Sequence, residues 1–88
     1  RVLFGPSPKG QLTIMEVTAQ DRQGLLYQVA LALKHCRVNL VAAKVATYGE
    51  RAEDIFTISD RDDHAIKDET LLQSIREALL DYLEGRIK

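Results

Sequence analysis

From Leu12 to Ala19 the chain alternates. Thr13, Met15, Val17 and Ala19 fall on one face, and Leu12, Ile14, Glu16 and Thr18 on the other. This period of two, with its β-branched residues, predicts a strand. The period changes after Gly24. Leu25, Leu26, Val29, Ala30 and Leu33 recur at helical spacing and predict a helix from about Gly24 to His35. Lys34, His35 and Arg37 follow at its C-terminal end, where cations suit the helix dipole. The polar stretch Gln20 to Gly24 is the turn between them. Val38 to Thr47 is a long β-rich run with two phases, Val38 and Leu40 in one and Val41, Ala43, Val45 and Thr47 in the other. A bulge or bend between the two phases is expected. Tyr48-Gly49-Glu50-Arg51 is a glycine-centred turn, and Ala52 to Ser59 is the next strand, so the two runs predict a β-hairpin.

Both ends of the chain complete this pattern. Val2-Leu3-Phe4 is a short apolar run, closed by the proline- and glycine-rich loop Gly5 to Gly10. It reads as an edge strand. After the charged loop Asp60 to Lys67, Asp68 is a natural N-cap with Glu69 in the first turn. Leu72, Ile75, Leu79, Tyr82 and Leu83 form a helical stripe to about Glu84, and Gly85 is the expected C-cap. The order β-α-β-β-α, with an extra strand in front, predicts an α+β split βαβ sandwich: a mainly antiparallel sheet with both helices on one face. Such a sandwich ordinarily ends in a fourth strand. The chain stops too soon after the second helix to supply a full one, so the Val2–Phe4 segment is expected to fill that edge.

With 88 residues the chain makes one domain, residues 1–88, with residues 1–11 as edge strand and linker and 12–84 as core. A domain of this size buries only about 60–65 % of its unfolded surface, which leaves room for a partner. The net charge of −1 argues against nucleic-acid binding, which needs a basic face. Cys36 is the single cysteine, so no internal disulfide forms, and a reduced, cytoplasmic setting fits. No apolar run approaches the ~20 residues of a membrane span. The first residue is Arg1, not methionine, and a piece of a longer protein is expected.

The candidate chemistry gathers at Asp21-Arg22-Gln23-Gly24-Leu25-Leu26. One reading is structural: an aspartate caps a helix and a glycine permits the turn. The other is a binding site. Backbone N–H groups near Gly24, Leu25 and Leu26 receive a carboxylate, Asp21 attracts an ammonium group, and Arg22 sits at the rim. A zwitterionic amino acid needs both signs close together. Ala43-Lys44-Val45 reads as a buried strand whose lysine faces solvent, or as the border of a facing domain's site. Cys36 reads as a small core residue at a helix end. His35 and His64 have no partners at metal-ligand spacing. The loop with Asp60, Asp62, Asp63 and His64 lacks the glycine and terminal glutamate of a calcium loop and reads as a solvated turn. No metal and no catalytic residue is expected. Arg22 and Asn39 superficially fit an acylphosphatase-like enzyme, but the glycine-rich phosphate loop is missing. A metal chaperone needs a second cysteine, and an RNA-binding sheet needs more exposed aromatics than Tyr48 and Phe56.

Glu16-Val17 with Asp21-Arg22-Gln23-Gly24-Leu25-Leu26-Tyr27, then Ala43-Lys44-Val45-Ala46-Thr47, then Asp54-Ile55-Phe56, resembles an ACT domain. From Val2 to Glu84 the sequence is similar to the C-terminal ACT domain of the bacterial bifunctional uridylyltransferase/uridylyl-removing enzymes. Gln23 departs from the proline common in that turn and leaves it looser. The resemblance implies a ferredoxin-like fold that pairs with another ACT domain, as a homodimer or with a tandem neighbour, and binds a small ligand where the two meet. It implies glutamine as that ligand, with Asp21 to Leu26 in the site and Ala43 and Lys44 contributing from the partner side. It also implies a parent enzyme that uridylylates the signalling protein PII when glutamine is scarce and removes the UMP when glutamine is plentiful. The catalytic domains, expected to use Mg2+, would lie outside these residues, and this piece would need no cofactor. An ACT domain that only pairs, or one from another amino-acid-regulated protein, is the alternative.

Overall fold

The computed structural model describes residues 1–20 and 24–83. The elements follow in the order β1 (Val2–Pro6), β2 (Thr13–Gln20), α1 (Leu25–His35), β3 (Asn39–Tyr48), β4 (Arg51–Ser59) and α2 (Glu69–Leu83). The sheet order is β1-β2-β4-β3, and every neighbouring pair is antiparallel. Strands β2 and β3 therefore run parallel with β4 between them, the split βαβ arrangement of a ferredoxin-like α+β fold.

The N-terminal segment occupies the sheet edge beside β2, as its apolar run predicts. Val2 pairs with Val17 and Phe4 with Met15. Arg76 of α2 ties this strand to the helical layer. Its guanidinium donates to the Val2 carbonyl at 3.4 Å and lies 5.2 Å from the centroid of the Phe4 ring.

Alternation along β2 and β4 decides which face is core. Cross-strand partners share a face, so Met15 lies beside Phe56 and Val17 beside Asp54 on the helix-covered side. Met15, Val17, Phe56 and Ile58 are all buried there, against Val29 and Leu33 of α1 and Ile75 and Leu79 of α2. The opposite face carries Glu16, Thr18, Glu53 and Ile55 and has no covering layer among the described residues.

Two of the helix ends show their local chemistry in hydrogen bonds. The Asp68 carboxylate accepts from the Thr70 N–H at 2.9 Å, an N-cap for α2. Helix α1 ends in a Schellman turn: Val38 N–H donates to the Leu33 carbonyl at 3.0 Å and Arg37 N–H to the Lys34 carbonyl at 3.0 Å. Arg37 takes the left-handed position, φ 60°, usually held by glycine. At the start of α1 the N-cap is Gly24, which makes no side-chain cap hydrogen bond; Asp21, the residue expected to cap this helix, lies outside the described residues. Gly85, the expected C-cap of α2, lies outside the described residues.

Strand β3 departs further from expectation. The predicted bulge is present as a register shift between Leu40 and Ala42. The strand is not buried, however: residues 39–45 are all exposed. It is the last strand of the sheet. Leu26 and Ala30, counted in the core stripe of α1, are exposed as well, and Ala32 takes the buried place instead.

The Met15–Phe56 row is expected to hold the two layers together. Phe56→Ala should cost roughly 3–5 kcal/mol, read as a lower urea midpoint. Arg76→Ala should cost only about 1 kcal/mol, and hydrogen exchange should quicken first in β1.

Candidate functional site

Strand β2 delivers the chain at Gln20 and α1 takes it up at Leu25, so the candidate site is a strand–turn–helix junction at one end of the sheet. Asp21, Arg22 and Gln23 lie outside the described residues. Gly24 has φ 81° and ψ 6°, a left-handed conformation that favours glycine. A side chain there would meet nothing within 4 Å, so the requirement is one of backbone conformation, not space.

The first turn of α1 contains no acidic residue. Its leading N–H groups have no acceptor inside the helix by geometry, and the first intrahelical bond runs from Gln28 N–H to the Gly24 carbonyl at 3.0 Å. The positive end of the helix dipole is therefore not neutralised from within its first turn. Leu25 is buried and anchors the turn, whereas Leu26 is 46 % exposed and Tyr27 68 %. The arrangement can hold a carboxylate on backbone donors beside an apolar wall.

The two residues expected on the partner side separate. Ala43 continues the row Met15–Phe56 on the helix-covered face, while Lys44 continues the row Glu16–Ile55 on the open face. Both are exposed. Only Ala43, with Val45 beyond it, lies on the same side of the sheet as α1. Lys44 stands on the opposite face of the sheet from α1.

Sequence reasoning gave no role to Asp54, although it is only 2 % exposed. It lies between Val17 and Val45 on the helix-covered side of β4. A buried carboxylate is costly unless compensated, which marks the position as specialised. The signal was an aspartate in phase with Phe56 and Ile58.

The other candidates serve the fold. The Asp60 carboxylate accepts from the backbone N–H groups of Asp62 and His64, both at 2.9 Å, and so shapes its own loop. Ile66 N–H donates to Thr13 Oγ1 at 2.8 Å and pins that loop to β2. Cys36 caps the end of α1, and partial burial pushes its thiol pKa upward. No group of three or more His, Cys, Asp or Glu residues could hold a metal among the described residues. No described helix is long and apolar enough to cross a membrane. Two open clefts lie at the other end of the sheet, one of about 750 Å³ beside Asp60 and Asp68 and one of about 870 Å³ beside Lys34, Arg37 and Arg61.

Gly24→Ala is expected to destabilise the chain by about 1–2 kcal/mol through its left-handed backbone, and Gly24→Asn by less. Chemical denaturation of the two variants checks this order.

No protein-family model matches the chain. In the crystal structure of an unknown protein from Galdieria sulphuraria, a region superposes on 85 % of this chain with a TM-score of 0.67 at 28 % identity, covering 40 % of that protein. The sequence is 42 % identical over 92 % of its length to the bifunctional uridylyltransferase/uridylyl-removing enzyme of Erythrobacter litoralis, and 37 % identical over 94 % to the enzyme of the same name from Methylococcus capsulatus. It spans only 9 % and 10 % of those two proteins, so the chain is similar to one small region of a bifunctional uridylyltransferase/uridylyl-removing enzyme.

Proposed function

We propose that the chain is an amino-acid-sensing ACT domain of an enzyme that uridylylates and deuridylylates PII, and that its ligand is glutamine. The observation that carries this reading is the start of α1. A left-handed glycine without a side-chain cap precedes a first turn free of acids, with Leu26 exposed beside it. A ligand α-carboxylate would take the N–H groups of this turn, and Asp21 would take the α-ammonium. The sensing domain catalyses nothing itself. The catalytic steps belong to other parts of the parent protein, which acts in the cytoplasm on PII.

Closure of the site requires a second domain. Among the described residues no strand lies beside the outer edge of β3, and Leu40, Val41 and Val45 are exposed along it. Leu26 and Ala30 on α1 continue this uncovered apolar surface on the helix side. A facing ACT domain that extends the sheet at β3 would cover both and bring its own residues toward Gly24. A domain that pairs without a ligand is the second reading, favoured by the same edge.

Glutamine titration separates the two. At ten times its dissociation constant, a ligand specific to the folded state adds about 1.4 kcal/mol of stability. For a domain of this size that raises Tm by roughly 6–11 °C. Asp21→Ala is expected to abolish the shift. A Tm that follows protein concentration but ignores glutamine would leave pairing as the function.

A further inference from the structure

The cleft at the far end of α1 from Gly24 gathers cations from three separate segments. Lys34 comes from the last turn of α1, Arg37 from the turn that ends it, and Arg61 from the loop between β4 and α2. Leu40 and Val41 of β3 give it an apolar wall. We propose that this cleft is a second binding site, for an acidic protein segment that brings carboxylates to the cations and an apolar side chain to β3. It stands apart from the amino-acid site proposed above and does not depend on it.

The backbone marks the place. A helix that ends in a Schellman turn usually puts glycine in the left-handed position, because a β-carbon is strained there. Helix α1 puts Arg37 there, at φ 60°. The other non-glycine residue with positive φ among the described residues is Asp63, at φ 64°, and it lines the same cleft. Backbone strain of this kind collects at functional positions. At Arg37 it keeps a guanidinium where glycine would be more comfortable.

The chain carries a net charge of −1, so these cations are a local excess. Asp63 is the one carboxylate in the lining, and among the described residues no ion pair joins it to Lys34, Arg37 or Arg61. The Asp60 carboxylate is held inside its own loop by the N–H groups of Asp62 and His64. Asp62, though beside Arg61 in sequence, is not part of the lining, and His35 belongs to a different cleft with Cys36 and Glu77. The cleft therefore presents a positive field to an approaching chain. A compact phosphate favours free backbone N–H groups. Here the N–H groups of Cys36, Arg37 and Val38 all donate to carbonyls of α1. The carbonyl end of the helix also repels an anion on its axis. Anions are left to the long side chains around the rim, which suits carboxylates spread along a segment.

NMR titration with a six-residue peptide of alternating glutamate and leucine tests the proposal. Amide shifts are expected to gather at Lys34, Val41 and Arg61, and affinity to fall as salt rises. Arg37→Gly and Arg61→Gln should each weaken binding by about 2- to 5-fold. Arg37→Gly should at the same time raise the denaturation midpoint, because glycine suits the left-handed position. Loss of affinity with a gain in stability is what a binding role predicts and a structural role does not. The proposal is overturned if the peptide does not bind, if the shifts gather elsewhere, or if Arg37→Gly binds as the wild type does or loses stability. Inorganic phosphate or oligothymidylate binding as tightly as the peptide also overturns it.

Discussion

The antiparallel pairing of β2 with β4 is the constraint on which the rest depends. These strands are separated in sequence by the whole α1–β3 unit, yet they lie side by side through eight registered positions, Thr13 with Ile58 to Gln20 with Arg51. Once they pair, β3 can only follow β4 through its hairpin to one flank, and β1 can only follow β2 to the other. The single buried face of this pair, centred on Met15 and Phe56, gives both helices the same side on which to dock. The open face and the free β3 edge are consequences of that choice.

The same constraint sets the candidate site. Helix α1 must start where β2 ends and return over the sheet, so its N-terminus is placed at the sheet's end with its donors facing outward. An acid in the first turn would engage those donors locally, and α1 has none there. Helix α2 shows the contrast within one molecule: it has both the Asp68 cap and Glu69 in its first turn. The two helix starts therefore differ in the charge their first turns carry.

The open helix start, the exposed flank of α1 and the uncovered β3 are neighbouring parts of a half-built layer. Nothing in the chain's own core needs Leu26, Val41 or Val45. Their exposure gives a small domain, short of buried surface, a means of gaining more by association. Ligand binding and pairing would then draw on the same surface, which is how a local binding event could bias the arrangement of two domains.

Much of this was legible in sequence. The periods of Thr13–Ala19 and Leu72–Leu83, the two-phase run with its bulge, the Asp68 cap and the edge role of Val2–Phe4 follow from local sterics and alternation, which the residues carry wherever the chain goes. The strand–turn–helix at Gly24 was legible for the same reason. What the sequence left undecided depended on position within the sheet. Ala43, Val45, Leu26 and Ala30 look like core because they are apolar, but burial depends on what lies above a residue, and β3 is an edge strand. Asp54 looks like surface because it is charged, yet its row lies beneath the helices. Ala43 and Lys44 are neighbours in sequence and opposite in space, because successive residues of a strand point to opposite faces and only strand pairing fixes which face is covered.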